Sequence, residues 1–169
     1  MSYPFALTWQ HAKLPSAKYA ESTLGVVRSL ARRDSVHPEI RLLAQDLTHD
    51  SLPYDQAAEA EALQAFVRDN IRYVRDVNGV ETVQSPRLTL RTGSGDCDDK
   101  TGLLASLLYS IGFPVRYVLA ATNPRQPTQF THIYPEAAIR NLGWVPLETI
   151  IPGAGFGYRI QSARTHRES

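Results

Sequence analysis

GSGDCDDKTGLLASLLYSIGFPVRYVLAA (residues 93–121) carries a helix, a stop and a strand in one run, with the chain's single cysteine at its start. From Asp98 to Ile111, Leu103, Leu104, Leu107, Leu108 and Ile111 form a wide apolar face at helical spacing. Gly112 reads as the C-cap, Pro114 as the stop, and VRYVLAA (115–121) as a buried strand. Asp96 is a preferred N-cap and Asp99 sits three positions on, as in a capping box. Cys97 therefore falls in the first turn, where free backbone N–H groups and the positive helix end stabilise a thiolate. Gly93 and Gly95 let a substrate approach closely. Asp96, Asp98 and Asp99 suit the helix dipole but oppose a thiolate, so a cationic partner is required, histidine being the natural choice. The alternative is an unreactive cysteine packed beneath the loop. Polar neighbours at a loop-to-helix junction favour the reactive reading. Adjacent Asp96, Cys97 and Asp98 are not expected to converge on one ion, and no second thiol exists, so no metal or cofactor is expected.

Upstream, residues 1–21 hold Pro4 and Pro15 and read as an arm, with Trp9 and Tyr19 available to pack over a groove. Residues 22–75 read as helical. One helix starts at Ser22 with Leu24, Val27, Leu30 and Ala31 on a face, and a second starts at Pro38 with Ile40, Leu43, Ala44 and Leu47. A third runs from about Tyr54 to Tyr73 with Ala62, Leu63, Phe66, Val67 and Ile71 as its stripe. VETVQSPRLTLRTGSGD (80–96) reads as extended chain or loop. Downstream, FTHIYPEA (130–137) and GWVPLETI (143–150) alternate as strands around a turn at 139–142, and 161–169 read as a loose tail. Helices followed by strands predict one α+β domain over 22–160, with the cysteine helix and the sheet in 80–160.

The chain of 169 residues is 43% hydrophobic and 21% charged, an ordinary globular composition. Its net charge of +1 argues against nucleic-acid or anionic-membrane partners. One cysteine excludes an internal disulfide. The opening MSYPFALTWQHAKLP lacks a signal-peptide pattern, so a cytoplasmic location is expected.

Of the five histidines, His11, His37, His49 and His166 fall in the arm, at helix edges or connectors, and in the tail. His132 alone sits mid-strand, sharing a face with Phe130 and Tyr134. If the hairpin centres near Arg140, His132 lies opposite Glu148, with Cβ atoms about 4.5–5.5 Å apart. A carboxylate there would fix the imidazole tautomer and support the imidazolium. A shift of half a residue in the turn would aim Glu148 away, and a solvated polar pair is the competing reading.

GDCDDKTGLLASLLYSIGFPVRYV (95–118), THIY (131–134) and GWVPLET (143–149) together resemble the core of the transglutaminase-like superfamily. HPEIRLLAQDLT (37–48) and VRDNIRYVRDVNGVETVQSPRLTL (67–90) are similar to the subset found in tailed phages and prophages related to phage Mu. The resemblance covers roughly residues 22–150. It implies a papain-related α+β fold in which N-terminal helices and a nucleophile-bearing helix pack on a small antiparallel sheet. It further implies Cys97 as nucleophile and His132 as general base. Glu148 stands where the superfamily usually has aspartate, with Glu136 a weaker substitute. The oxyanion hole would use the Cys97 N–H and a side-chain donor, for which Gln84 is the candidate. The implied chemistry is acyl transfer or amide hydrolysis on a peptide or protein. A hydrolase is preferred over a crosslinking enzyme because no EF-hand loop is present. The alternative is a catalytically silent assembly or virion module that binds phage structural proteins, in the cytoplasm of a bacterial host or on the particle.

Overall fold

The structure, a computed structural model, describes residues 6–10, 16–76 and 80–169, with side chains described for 22–76 and 82–169. Its elements are β1 (Ala6–Gln10), α1 (Ser16–Ser35), α2 (Pro38–Thr48), α3 (Gln56–Asn70), β2 (Arg72–Tyr73), β3 (Val80–Gln84), α4 (Pro86–Thr92), β4 (Ser94–Gly95), α5 (Cys97–Ser110), β5 (Val115–Ala121), β6 (His132–Ile139), β7 (Gly143–Pro146) and β8 (Arg164–Glu168). The α+β class holds.

α5 is the central element. Apolar residues on more than one side of it are fully buried, because α1 to α4 surround it and β6 closes the remaining side. Leu103, Leu104, Ala105, Leu107 and Leu108 join Leu24, Val27, Ile40, Leu63 and Val67 in one core. The sheet runs β7-β6-β5-β8, antiparallel throughout. Its two faces divide by strand parity. Tyr117, Leu119, Ile133, Ala137 and Ile139 join the helical core, whereas Val118, Ala120 and Tyr134 form a second cluster with Ile160.

Four expectations are corrected. The first helix begins at Ser16, because Ala17, Lys18, Ala20 and Glu21 are good helix formers and both prolines precede it. The expected arm accordingly shortens, and Ala6–Gln10 pairs antiparallel with β3. Within 80–96 the chain forms β3 and then α4, which is capped by Ser85, started by Pro86 and ended by Gly93 at φ 61°. Seven residues are too few for helical periodicity to show. The tail is an edge strand: Arg164–Glu168 pairs with β5, and its charged sequence hid it because edge strands lack an apolar face to bury. Lastly, α3 ends at Asn70, and Arg72–Tyr73 pairs in parallel with Ser94–Gly95 just before the cysteine. Trp9 and Tyr19 lie outside the residues whose side chains are described.

Candidate active site

Asp96 caps α5 by accepting from the Asp98 and Asp99 N–H groups at 3.0 and 3.3 Å. Asp99 reaches back to accept from the Asp96 N–H at 3.2 Å. The first-turn N–H of Cys97 takes no part in this reciprocal cap. Asp99 also accepts from the Gln84 backbone N–H at 2.7 Å and from Gln84 Nε2 at 2.8 Å. Nε2 gives its other hydrogen to Ser94 O at 3.3 Å. Gln84 thus braces Asp99, and both of its amide hydrogens are committed, unlike the free donor expected for an oxyanion hole.

The hairpin turns one residue later than the sequence suggests. Ile139 pairs with Gly143 and Glu136 with Pro146, with Asn141 in the left-handed region at φ 66°. On this register Glu148 lies level with Tyr134 rather than His132. Because the slip is a whole pairing step, parity is kept and both side chains share a face. Pairing extends one rung past β7, where the Leu147 N–H donates to Pro135 O at 3.0 Å and Pro135 has no N–H to return the bond, and Glu148 follows directly at the end of the ladder. The result is a buried contact of 2.7 Å between His132 Nε2 and Glu148 Oε2.

Glu148 is held on every side. Its Oε1 accepts from the Thr149 and Ile150 N–H groups, both at 2.8 Å. Its carbonyl accepts from Gln64 Nε2 at 2.7 Å. Burial raises its carboxyl, but the His132 hydrogen bond and charge and the two N–H groups outweigh that and hold it below the usual carboxylate range. An ionised Glu148 can only accept, so Nε2 carries the proton and Nδ1 of the neutral ring presents a lone pair. Nδ1 is buried and has no hydrogen-bond partner among the described residues. The ring stacks on Tyr134 at 5.8 Å between centroids.

Cys97 is part-exposed, and its Sγ donates to Asp98 Oδ1 at 3.6 Å. The Ile133 backbone, next in sequence to His132, also lies within hydrogen-bonding reach of the sulfur. Burial, followed by the Asp98 and Asp96 carboxyls, pushes the thiol well above its ordinary value, and the Ile133 contact only partly offsets this. The thiol therefore rests protonated, and a nucleophilic role for it would require a base to take its proton. Asp96 itself is raised to about 7 by burial and the adjacent Asp99, which is raised to about 6 mainly by burial. Asp98→Asn removes the strongest charge opposing the thiolate. Cys97 alkylation by iodoacetamide at neutral pH is expected to rise about tenfold, the effect of one unit of thiol pKa. An unchanged rate in pH-resolved alkylation would show that Asp98 does not control the sulfur.

The expectation that Asp96, Cys97 and Asp98 cannot converge is also corrected, since their donor atoms lie within 4.8 Å of one another. The Asp96 carboxylate is already engaged by its two cap N–H groups. Glu136, the weaker substitute, is fully buried and bound by Arg116 Nε at 2.6 Å and Arg159 at 2.8 Å, away from the histidine. His37 caps α2 through Nδ1, His49 is exposed beside Asp50, and His166 lies against Phe130 on the edge strand. Two supporting residues escaped the sequence reading. Gln64 lies beside Leu63 on the buried stripe of α3, and a polar residue there was the available signal. Buried Lys100 donates to Ile71 O at 2.7 Å and Arg68 O at 3.4 Å, tying α5 to the end of α3.

No helix among the described residues is long and apolar enough to cross a membrane. No curated protein matches the chain. Among solved structures, it is similar to a candidate protease from Parabacteroides distasonis ATCC 8503, with TM-score 0.58 and 18% identity over 80% of this chain and 27% of that one. It is also similar to a candidate cysteine protease from Cytophaga hutchinsonii, with TM-score 0.53 and 19% identity over 76% and 42%. The chain thus spans less than half the length of either, and at these identities the likeness is one of fold. The sequence itself matches the transglutaminase-like superfamily over residues 42–149, from within α2 to the residue after Glu148. That stretch holds the cysteine helix, the histidine strand and the glutamate just described, and the chain belongs to the transglutaminase-like superfamily.

Proposed function

We propose that the protein is a thiol-dependent hydrolase or acyltransferase acting on amide bonds of a peptide or protein, with Cys97 as nucleophile, His132 as general base and Glu148 as the residue that orients it. The observation that carries this reading is the 2.7 Å bond from His132 Nε2 to Glu148, which leaves Nδ1 buried and unpartnered beside the Ile133 segment that touches Cys97. Nδ1 takes the thiol proton as sulfur bonds to the carbonyl carbon, and the same proton passes to the departing amine as the C–N bond breaks. Water then attacks the thioester, giving a carboxylic acid and regenerating the thiol, whereas a primary amine in its place gives a new amide. Hydrolysis is our preferred outcome. The first-turn Cys97 N–H is the backbone donor nearest the developing oxyanion.

The resemblance to the subset from Mu-like phages supports a setting in the cytoplasm of a bacterial host during phage growth. A silent virion module built on the same fold is the second reading. A buried carboxylate bonded by three donors to fix one imidazole favours chemistry over it. Acid-quenched mass spectrometry after exposure to a pool of unmodified peptides tests the proposal. Acyl adducts are expected on Cys97 in wild type and none in Cys97→Ala, and addition of a dansylated primary amine separates hydrolysis from transfer. No adduct under any condition favours the module.

A further inference from the structure

A cavity of about 460 Å³ is lined by the continuations of the segments that carry Cys97 and Glu148, and two of its lining residues, Tyr73 and Lys100, lie near enough to Cys97 and Glu148 respectively to interact with them through space. One wall is Arg72 and Tyr73, where Tyr73 pairs with Gly95, two residues before Cys97. Another is Lys100, one turn along α5 from the cysteine, and the third is the loop 149–153 that directly follows Glu148. The end of α3, including Arg68 and Asp69, completes the lining and meets Lys100, which donates to the Arg68 and Ile71 carbonyls.

The charge of this lining is unbalanced. Arg68, Arg72 and Lys100 face one carboxylate, Asp69, so three cations against one anion leave an excess of two. Asp69 is already spent, because Arg68 Nε and NH2 hold its two oxygens at 2.7 and 2.8 Å. Lys100 donates only to carbonyl oxygens. Glu148 acts on Lys100 across space alone, its own oxygens being taken by His132, Thr149 and Ile150. The Arg72 guanidinium has no hydrogen-bond or ion-pair partner among the described residues. A fixed excess of positive charge beside a nucleophile, with one guanidinium unengaged, is complementary to an anion on the substrate.

The geometry points to a carboxylate-binding subsite in this cavity, with Arg72 as its principal contact and Lys100 as a fixed charge at its edge. The substrate is accordingly a peptide that carries a carboxylate close to the scissile amide, either an acidic side chain or a free chain end. This inference rests on the reading of Cys97 as nucleophile.

The test measures Cys97 labelling by three probes: iodoacetyl-glycyl-glutamate α-amide, its glutamine counterpart, and iodoacetyl-glycyl-glutamine with a free α-carboxylate. In each, the Cys97 sulfur bonds to the iodoacetyl carbon and iodide leaves. Wild type is expected to react about tenfold faster with a carboxylate-bearing probe than with the neutral one, the worth of one charge-assisted hydrogen bond. The probe that shows the preference identifies side chain or chain end as the source. In Arg72→Gln the ratio is expected to fall to about one, whereas Arg41→Gln, the same charge change on exposed α2, keeps the wild-type ratio. Ordinary labelling by iodoacetamide with equal rates for all three probes overturns the subsite alone. A preference that survives Arg72→Gln overturns its assignment to this cavity. Inertness of Cys97 toward iodoacetamide overturns the nucleophile reading and the subsite with it.

Discussion

Glu148→Gln is expected to reduce thioester formation at Cys97 almost as severely as His132→Ala, by about 10²–10⁴-fold, the usual range for loss of a positioned general base. The reason is tautomeric. The Thr149 and Ile150 N–H groups need an acceptor and already hold Oε1, so the glutamine oxygen stays with them. Its amide nitrogen then faces His132 Nε2, which must accept rather than donate. The ring proton moves to Nδ1, and the lone pair that would take the thiol proton is lost. Removal of the ring in His132→Ala has a separate cost, because it leaves Glu148 as a buried carboxylate without its partner. With the ring neutral and the Thr149 and Ile150 N–H groups still on the carboxylate, the loss is that of one hydrogen bond to a charged group, about 1.5–3 kcal/mol, whereas Glu148→Gln introduces no unpaired charge. Single-turnover acylation together with thermal melting therefore distinguishes the two variants. Similar rate losses with a larger drop in melting temperature for His132→Ala are expected. A loss below tenfold in Glu148→Gln would show that the glutamate does not set the tautomer.

Gly95→Ala is expected to lower the melting temperature by roughly 10 °C. A Cβ at Gly95 would meet the Asp99 Cβ at 2.5 Å and its Oδ2 at 2.8 Å. Asp99 cannot swing aside without abandoning the Gln84 backbone and side chain and the Asp96 N–H. Overpacking costs about 1–3 kcal/mol, and each buried donor left unpaired adds about 1–3 kcal/mol more. At roughly 2–4 °C per kcal/mol for a chain of this size, the sum reaches the stated shift. Gly25→Ala is the control, since nothing lies within 4 Å of a Cβ there. That change in α1 is expected to stabilise by about 0.5–1 kcal/mol. Calorimetry on both variants checks the contrast. A Gly95→Ala protein that melts like wild type would mean that the cap tolerates rearrangement.

Local rules made α5 legible. Asp96 and Asp99 signal a capped helix start, and Gly112 with Pro114 its end, because caps and stops are decided within a few residues. The same locality exposed the β6–β7 hairpin and the parity of His132 and Glu148. It did not expose α4 or β8, since a seven-residue helix is too short to show a period and a charged edge strand has no apolar face.

By itself, then, the sequence determined the α+β class, the cysteine at a capped helix start and a strand histidine with a glutamate on its face. Only the tertiary structure decided how these meet. The hairpin turns one residue later than local spacing indicates, and beyond the last rung, at Leu147 and Pro135, Glu148 reaches His132 from one pairing step away. The commitment of Gln84 to Asp99, the support of Glu148 by Gln64 and the cavity beside Lys100 all depend on residues distant in sequence. Contacts of that kind leave no periodic trace along a chain, because the fold, and not the spacing of the residues, brings the partners together.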